Sequence, residues 1–325
     1  MDHINFPYRA SAHLALLHVV NESGAWAKQN LDVNYNFKIS STDAHAKIPT
    51  GDIEFVGGNH VSTYGKRARG DNWTYLGQTV NRIDHRLVVR ADSGIESIKD
   101  LKGKKVLTAG SHPALNDWLY LKQNGLDVDK DQVEIVNRSR LKAGSMDEEE
   151  GSNTQTSKER WELVADKTVD ATLLTPPKSD FAEKAGLKVI EIEPMPMIHF
   201  TTISTSQQFV DRHPDIVDRF LKGLIEGIWY FKTKPKESLA IIKAKHTSEG
   251  QMDDAMTEKV YRELAAVLEP RLYPAMDAIS NVYQEALRQD KDAAKINPLT
   301  LWNLNYIRKI DDSGFVDKLY GTKRG

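Results

Sequence analysis

Hydrophobic positions in the first ninety residues alternate between strand spacing and helix spacing. Strands are predicted at five short apolar runs, 4–8, 33–37, 53–56, 73–76 and 86–90. Helices are predicted at 12–28 and at 60–69, where Gly70 follows the last turn. This alternation is typical of an α/β sheet with parallel strands.

The alternation restarts after a turn at Asp92-Ser93-Gly94. Strands are predicted at 105–108, 133–136, 170–174 and 187–192, with helices at 113–123 and 179–185. A strand at 200–204 follows, and the remaining apolar positions have helical spacing at 210–233, 235–245, 253–267, 276–289 and 298–310. We therefore predict two α/β lobes. Lobe I comprises residues 1–91 and 196–325, with a helical C-terminal tail, and lobe II comprises residues 92–195.

The amino-acid composition excludes several classes of protein for this chain. The chain has 325 residues, 40% hydrophobic and 28% charged, with a formal net charge of -2, which favours a globular protein and gives no sign of a nucleic-acid partner. Cysteine is absent, which excludes disulfides, iron–sulfur clusters and cysteine nucleophiles. No apolar run approaches the roughly 20 residues that span a bilayer, so no membrane insertion is expected.

Several motifs resemble those of solute-binding proteins for nitrate, sulfonate, taurine and thiamine-pyrimidine precursors. The motifs are Gly51-Asp52-Ile53, the stretches 92–106 and 169–174, and the segment 209–221. The resemblance implies an α/β, two-lobed type II periplasmic-binding-protein fold, with doubly wound sheets joined by a two-strand hinge. It also implies that a ligand is held between the lobes.

The same superfamily contains enzymes, and three groups are relevant. Thiamine-pyrimidine synthases have a histidine where His60 stands, but this chain has Val56 in place of their pyridoxal-phosphate lysine. Aromatic-sulfinate desulfinases use a cysteine, which is absent here. Dihydroxyphthalate decarboxylases have a segment similar to 196–199 followed by Arg212-His213-Pro214. We expect no pyridoxal phosphate, flavin or iron–sulfur cluster.

Five of the ten histidines are candidates for one site. Ligands of open α/β sheets bind beyond the carboxyl ends of strands. The candidates either follow predicted strands or lead the two predicted hinge strands, and they are His13, His60, His112, His85 and His199. Neutral imidazole can act as acid, base or metal ligand. The catalytic candidates are His60, His85 and His199, and His85 and His199 could instead hold zinc, iron or manganese.

Other positions suggest anion binding. Ser111 and Pro113 predict a helix start, whose free N–H groups attract a carboxylate, and Asn116 lies one turn further on. Arginines Arg9 and Arg138 follow strands and could clamp an anion. The predicted ligand-binding set is Arg9, His13, Asn59, Ser111, His112, Asn116 and Arg138.

Two functions remain open. The main hypothesis is a cytoplasmic lyase that decarboxylates a small aromatic or unsaturated carboxylic acid, since Met1-Asp2 leads directly into a predicted strand with no export signal. The alternative is an ABC-transporter substrate-binding protein for a small organic anion, such as a sulfonate, aromatic carboxylate or pyrimidine-like ligand. That protein would be periplasmic, with its signal removed, and would deliver the anion to an ABC permease.

Overall fold

The structure is a computed structural model that describes residues 1–108, 117–137, 158–245 and 253–322. The chain forms two compact units. Unit 1 contains Met1–Arg82 and Pro196–Gly325, and unit 2 contains Ile83–Met195.

The strands of unit 1 form two small sheets. β1 (Asp2–Asn5) pairs in parallel with β2 (Leu31–Asn34). β3 (Val56–Gly57), β4 (Trp73–Ile83) and β10 (Met195–Ser206) form a second sheet in the order β3-β10-β4, and β3 is antiparallel to β10. The last residue of β4 and the first of β10 belong to unit 2, so the chain leaves and re-enters unit 1 along neighbouring strands.

The described α-helices are numbered in chain order. They are α1 (Leu14–Glu22), α2 (Ala25–Lys28), α3 (Ser41–Thr50), α4 (Ser62–Ala68), α5 (Asp117–Gln123), α6 (Arg160–Ala165), α7 (Lys178–Lys184), α8 (Gln207–Arg212), α9 (Pro214–Thr233), α10 (Pro235–Lys245), α11 (Asp254–Val267), α12 (Met276–Gln289), α13 (Asn305–Asp312) and α14 (Phe315–Tyr320). Short 3-10 helices lie at Ser11–His13, Ile98–Leu101, Lys291–Lys295 and Pro298–Leu301.

Aromatic rings fill the core of unit 1. Phe55, just before β3, stacks on Phe220 of α9 with 4.0 Å between ring centroids and 7° between planes. Phe6, just after β1, packs edge-on against Phe220 at 5.0 Å. All three side chains are completely buried. Burial of such large apolar surfaces is a main source of folding free energy, and it joins both small sheets to α9.

Two glycines let α9 approach α1 and α2 closely. A Cβ atom on Gly223 would lie 2.4 Å from Cδ1 of Trp26, and one on Gly227 would lie 2.5 Å from Cγ2 of Val20. Both glycines are buried within α9, so the backbone of this helix packs directly against its neighbours.

Unit 2 is built on a mixed five-stranded sheet. Its strands are β5 (Arg86–Val89), β6 (Lys105–Thr108), β7 (Glu134–Asn137), β8 (Ala171–Leu174) and β9 (Lys188–Glu191), in the order β7-β6-β8-β5-β9. β6 is parallel to β7 and β8, whereas β5 is antiparallel to β8 and β9. The residues of β5 and β8 are all buried.

The predicted α/β fold is confirmed, with corrections to its details. The sheets are mixed rather than parallel throughout, since β5 is antiparallel to β8 and β9, and β3 is antiparallel to β10. Unit 1 is interrupted after Arg82, whereas lobe I was predicted to extend to residue 91, and β5 pairs with β8 and β9 of unit 2.

Several helix boundaries also differ from the predictions. The run at 12–28 is broken at Gly24, whose φ of 74° is left-handed. The run at 210–233 is divided at His213, which precedes the first residue of α9, Pro214. Three helices, α3, α6 and α14, were not predicted from the apolar spacing. Within the described ranges, no helix combines the length and the apolar character needed to cross a membrane.

We predict that Gly227→Ala destabilises the protein. The added methyl group would collide with Val20, and overpacking of a core costs about 1–3 kcal/mol. The higher helix propensity of alanine returns only about 1 kcal/mol. Urea denaturation should therefore show a lower midpoint.

The matched control is the double variant Gly227→Ala with Val20→Ala, which makes room for the new methyl group. We expect its loss of stability to be smaller than the sum of the two single losses. Additive losses would contradict the proposed collision.

Candidate functional site

The turn after β3 positions the first group of candidate residues. Gly58 and Asn59 have φ values of 129° and 61°, conformations that glycine adopts freely and asparagine tolerates better than most residues. The hydroxyl groups of Thr63 and Tyr75 donate hydrogen bonds to the carbonyl of Asn59 at 2.5 and 2.8 Å. This unusual backbone is therefore held in place from two elements, and His60 follows it directly.

Arg9 packs on the same turn. A Cβ atom on Gly58 would lie 2.8 Å from Cγ of Arg9, so only glycine leaves room for this side chain. One terminal nitrogen of Arg9 donates to the carbonyl of Ile39 at 3.0 Å. Its Nε is buried and has no hydrogen-bond partner among the described residues. Burial lowers the pKa of Arg9, although the carboxylate of Asp43 opposes the shift.

His60 is held by a chain of hydrogen bonds that begins in β4. Nδ1 of His60 lies 2.8 Å from the hydroxyl oxygen of Thr202, and that hydroxyl donates to Oε1 of Gln78 at 2.6 Å. Nε2 of Gln78 donates to the carbonyls of His199, at 2.6 Å, and of Val80. Gln78 and Thr202 are fully buried, so this chain is shielded from water.

His13 and His199 complete the cluster in unit 1. The ring centroids of His60 and His199 are 6.4 Å apart, and those of His13 and Phe200 are 4.7 Å apart. Phe200 lies inside β10 with a φ of 64°, which is rare for an aromatic residue. Such strain concentrates at functional sites. We call Arg9, His13, His60 and His199 the arginine–histidine cluster.

The three imidazoles of this cluster are neutral near pH 7. Burial, followed by the neighbouring His199 and Arg9, lowers the pKa of His13 and of His60 to about 3. Burial alone lowers the pKa of His199 to about 4. The positive charge of the cluster therefore resides on Arg9.

His85 lies in unit 2, beside Tyr120 and Asp117. Its ring stacks on Tyr120 with centroids 5.3 Å apart, and its Nδ1 lies 3.5 Å from Oδ1 of Asp117. The hydroxyl of Tyr120 donates to the carbonyl of Ile83 at 2.6 Å. Burial raises the pKa of Asp117 to about 7, with the charge of Arg160 opposing the shift.

The expectation that His85 and His199 lead two neighbouring hinge strands is wrong. β10, which contains His199, lies between β3 and β4, whereas β5 follows His85 and pairs with β8 and β9. The cause is the length of β4, which continues to residue 83 instead of ending at the predicted residue 76.

Some of the predicted site residues lie together in unit 1, and others lie outside the described residues. Arg9, His13, Asn59, His60 and His199 lie in unit 1 around one turn and one strand. Four predicted residues, Ser111, His112, Asn116 and Arg138, lie outside the described residues. Within the described ranges, no group of three or more His, Asp or Glu side chains is placed to hold a metal ion. A divalent metal on His85 and His199 stays a prediction, and no part of the account depends on it.

Sequence reasoning missed Gln78 and Thr202. Both lie inside strands, and an uncharged polar residue within a strand gives no sequence pattern that indicates a binding site. A signal was available in the hydroxyl-rich stretch 201–206, of which five of six residues are Ser or Thr. These hydroxyl residues are all buried, which predicts an internal hydrogen-bond network.

Comparison with known proteins identifies the family. A family model described as NMT1/THI5 like matches residues 12–238, well over half of the chain. This chain belongs to the NMT1/THI5-like family. No curated protein matches it in sequence.

Solved structures share the fold. The putative periplasmic sulfonate-binding protein SsuA of Methylobacillus flagellatus KT has a TM-score of 0.70 at 16% identity, covering 100% of this chain and 98% of that chain. SsuA of Xanthomonas axonopodis pv. citri bound to MOPS has a TM-score of 0.63 at 11% identity, covering 93% and 98%. Periplasmic aliphatic sulphonate binding protein SsuA of Escherichia coli has a TM-score of 0.64 at 13% identity, covering 88% and 91%.

These findings confirm the periplasmic-binding-protein-like superfamily and correct the functional hypothesis. The expectation of a decarboxylating lyase is wrong. The family match, together with neighbours named as sulfonate-binding proteins, agrees with the alternative of a substrate-binding protein.

We predict that the neutral histidines destabilise the protein in acid. Below about pH 6.5, an ordinary histidine in the unfolded chain binds a proton, whereas His13 stays neutral down to about pH 3. The unfolded state then holds more protons, so stability falls as the pH decreases from about 6.5 towards 3.

His13→Gln should make this decline shallower, as measured by the thermal midpoint at a series of pH values. The control is His3→Gln, at a histidine whose side chain is 63% exposed. A decline of equal steepness in His13→Gln and the unmodified protein would contradict the assignment.

Proposed function

We propose that this protein binds a small organic anion at the arginine–histidine cluster, as the substrate-binding component of an ABC import system. The observation that carries the proposal is Arg9, whose buried Nε has no hydrogen-bond partner among the described residues. A cation in this state favours an anionic ligand that supplies the missing partner.

Physical chemistry supports an anion at this position. A buried charged donor without a partner is costly, and a carboxylate or sulfonate would satisfy it with a charge-assisted hydrogen bond. The guanidinium group is planar and offers parallel N–H donors, which match two oxygens of such a group. Because the imidazoles beside Arg9 are neutral, they contribute polar contacts without adding to the cost of burying charge.

The comparisons support the same ligand class. The three structural neighbours are named as sulfonate-binding proteins, and one of them is bound to MOPS, which carries a sulfonate group. Under this proposal the ligand is a sulfonate, an aromatic carboxylate or a pyrimidine-like anion. The protein would act in the periplasm and deliver its ligand to an ABC permease.

We predict that isothermal titration calorimetry detects binding of at least one member of a panel of alkanesulfonates, taurine and aromatic carboxylates. The bound compound should be recovered chemically unchanged, as judged by mass spectrometry. Conversion of the compound, or failure of every member of the panel to bind, would contradict the proposal.

We further predict that Arg9→Gln weakens that binding by roughly 10²-fold, since losing one partner of a buried charged pair costs at least 2 kcal/mol. The control is Arg69→Gln. Arg69 is exposed and forms ion pairs with Asp290 and Asp292 at 2.7 and 2.8 Å, so its loss should leave the affinity unchanged. Equal affinities of Arg9→Gln and the unmodified protein would exclude Arg9 as the anion partner.

A further inference from the structure

The hydrogen bonds of Gln78 have only one consistent direction. One end of its carboxamide faces two backbone carbonyl oxygens, those of Val80 and His199. Carbonyl oxygens only accept hydrogen bonds, so this end must be the NH₂ group. The other end, Oε1, then faces the hydroxyl of Thr202 at 2.6 Å and can only accept.

This direction is transmitted through Thr202 to His60. Because Gln78 Oε1 accepts, the single hydroxyl proton of Thr202 is committed to it. The oxygen of Thr202 must then accept from the atom on its other side, Nδ1 of His60, at 2.8 Å. Nδ1 of His60 therefore carries a proton.

The tautomer of His60 follows. A neutral imidazole with a proton on Nδ1 has a lone pair on Nε2, which makes Nε2 a hydrogen-bond acceptor. No side chain of the described residues hydrogen-bonds to Nε2 of His60. The ring also hydrogen-bonds to the backbone of Phe200, and because a carbonyl oxygen only accepts, that bond uses the N–H of Nδ1 in this tautomer and leaves the lone pair of Nε2 available.

We propose that Nε2 of His60 accepts a hydrogen bond from a hydroxyl or N–H group of the ligand, so that the protein selects organic anions carrying such a donor. This inference rests on the proposed function and narrows its substrate class. An anion that offers only acceptors, such as an unsubstituted alkanesulfonate, would leave Nε2 of His60 unsatisfied.

Two features of the surroundings support the inference. Nδ2 of Asn59 donates to the carbonyl of Ser41 at 3.4 Å, and the Oδ1 of Asn59 is a buried acceptor with no partner among the described residues. Burial and the neighbouring His199, His13 and Arg9 disfavour protonation of His60, and together they outweigh its backbone hydrogen bond with Phe200, which favours protonation. His60 thus remains an acceptor at neutral pH, while Arg9 supplies the positive charge.

The tautomer can be measured without any ligand. The ¹⁵N chemical shifts of the imidazole ring distinguish a protonated nitrogen from an unprotonated one. We expect Nδ1 of His60 to be protonated and Nε2 unprotonated in the full chain at pH 7. Thr202→Val removes the acceptor and should shift His60 towards the other tautomer, whereas Thr202→Ser keeps the hydroxyl and should preserve it. A proton on Nε2 in the unmodified protein would overturn the inference.

The substrate class is tested with a matched pair of sulfonates, 2-hydroxyethanesulfonate and 1-propanesulfonate, which differ by a hydroxyl in place of a methyl group. We expect the hydroxyl compound to bind roughly tenfold more tightly, or better, because the methyl group leaves a buried acceptor unsatisfied. The same comparison with 4-hydroxybenzoate and 4-methylbenzoate covers an aromatic carboxylate. Thr202→Val should reduce the ratio of affinities, and Thr202→Ser should retain it.

The outcomes separate the two proposals. If both members of a pair bind equally, or if the ratio is unchanged in Thr202→Val, the role of His60 is overturned and anion binding stands. If no member of either pair binds, the role of His60 is overturned, and anion binding fails as well only if no other member of the panel binds. Calorimetry in buffers of different ionisation enthalpy measures whether the protein takes up a proton when the anion binds. Proton uptake that disappears in His60→Gln would show that His60 is protonated and donates to the anion, which would overturn its role as an acceptor.

Discussion

The carboxamide of Gln78 is the contact on which the candidate site depends. It lies fully buried in β4 and bonds to β10 at two points, the carbonyl of His199 and the hydroxyl of Thr202. Through the first bond it holds the backbone where β10 becomes left-handed at Phe200, and through the second it orients His60. One side chain therefore positions two of the three histidines in the cluster.

A second constraint comes from glycine. Gly58 has a backbone conformation that other residues rarely adopt, and its missing side chain leaves the space that Arg9 occupies. The cationic side chain is thus set beside neutral imidazoles, and burial accounts for most of their neutrality. A half-buried positive charge set beside polar, uncharged imidazoles suits a ligand with one negative charge and additional hydrogen-bonding groups.

Much of this arrangement could be predicted from the sequence, for specific reasons. Alternating apolar runs predicted the α/β architecture, since the periods of strands and helices differ. The rule that ligands bind at strand ends predicted His13 and His60, which follow strands. The antiparallel placement of β5 could not be predicted, because it depends on pairing between distant residues. The roles of Gln78 and Thr202 also depend on long-range contacts, since 124 positions separate them. The enzymatic hypothesis failed because a high density of histidines indicates a polar site without indicating whether a reaction occurs there.

We propose that Arg9 and His60 together contact one bound organic anion. The most direct test is a crystal structure of the full chain grown with 2-hydroxyethanesulfonate. We predict sulfonate oxygens within hydrogen-bonding distance of the Arg9 guanidinium and the hydroxyl group within hydrogen-bonding distance of Nε2 of His60. A ligand bound elsewhere, with no contact to Arg9, would contradict the account.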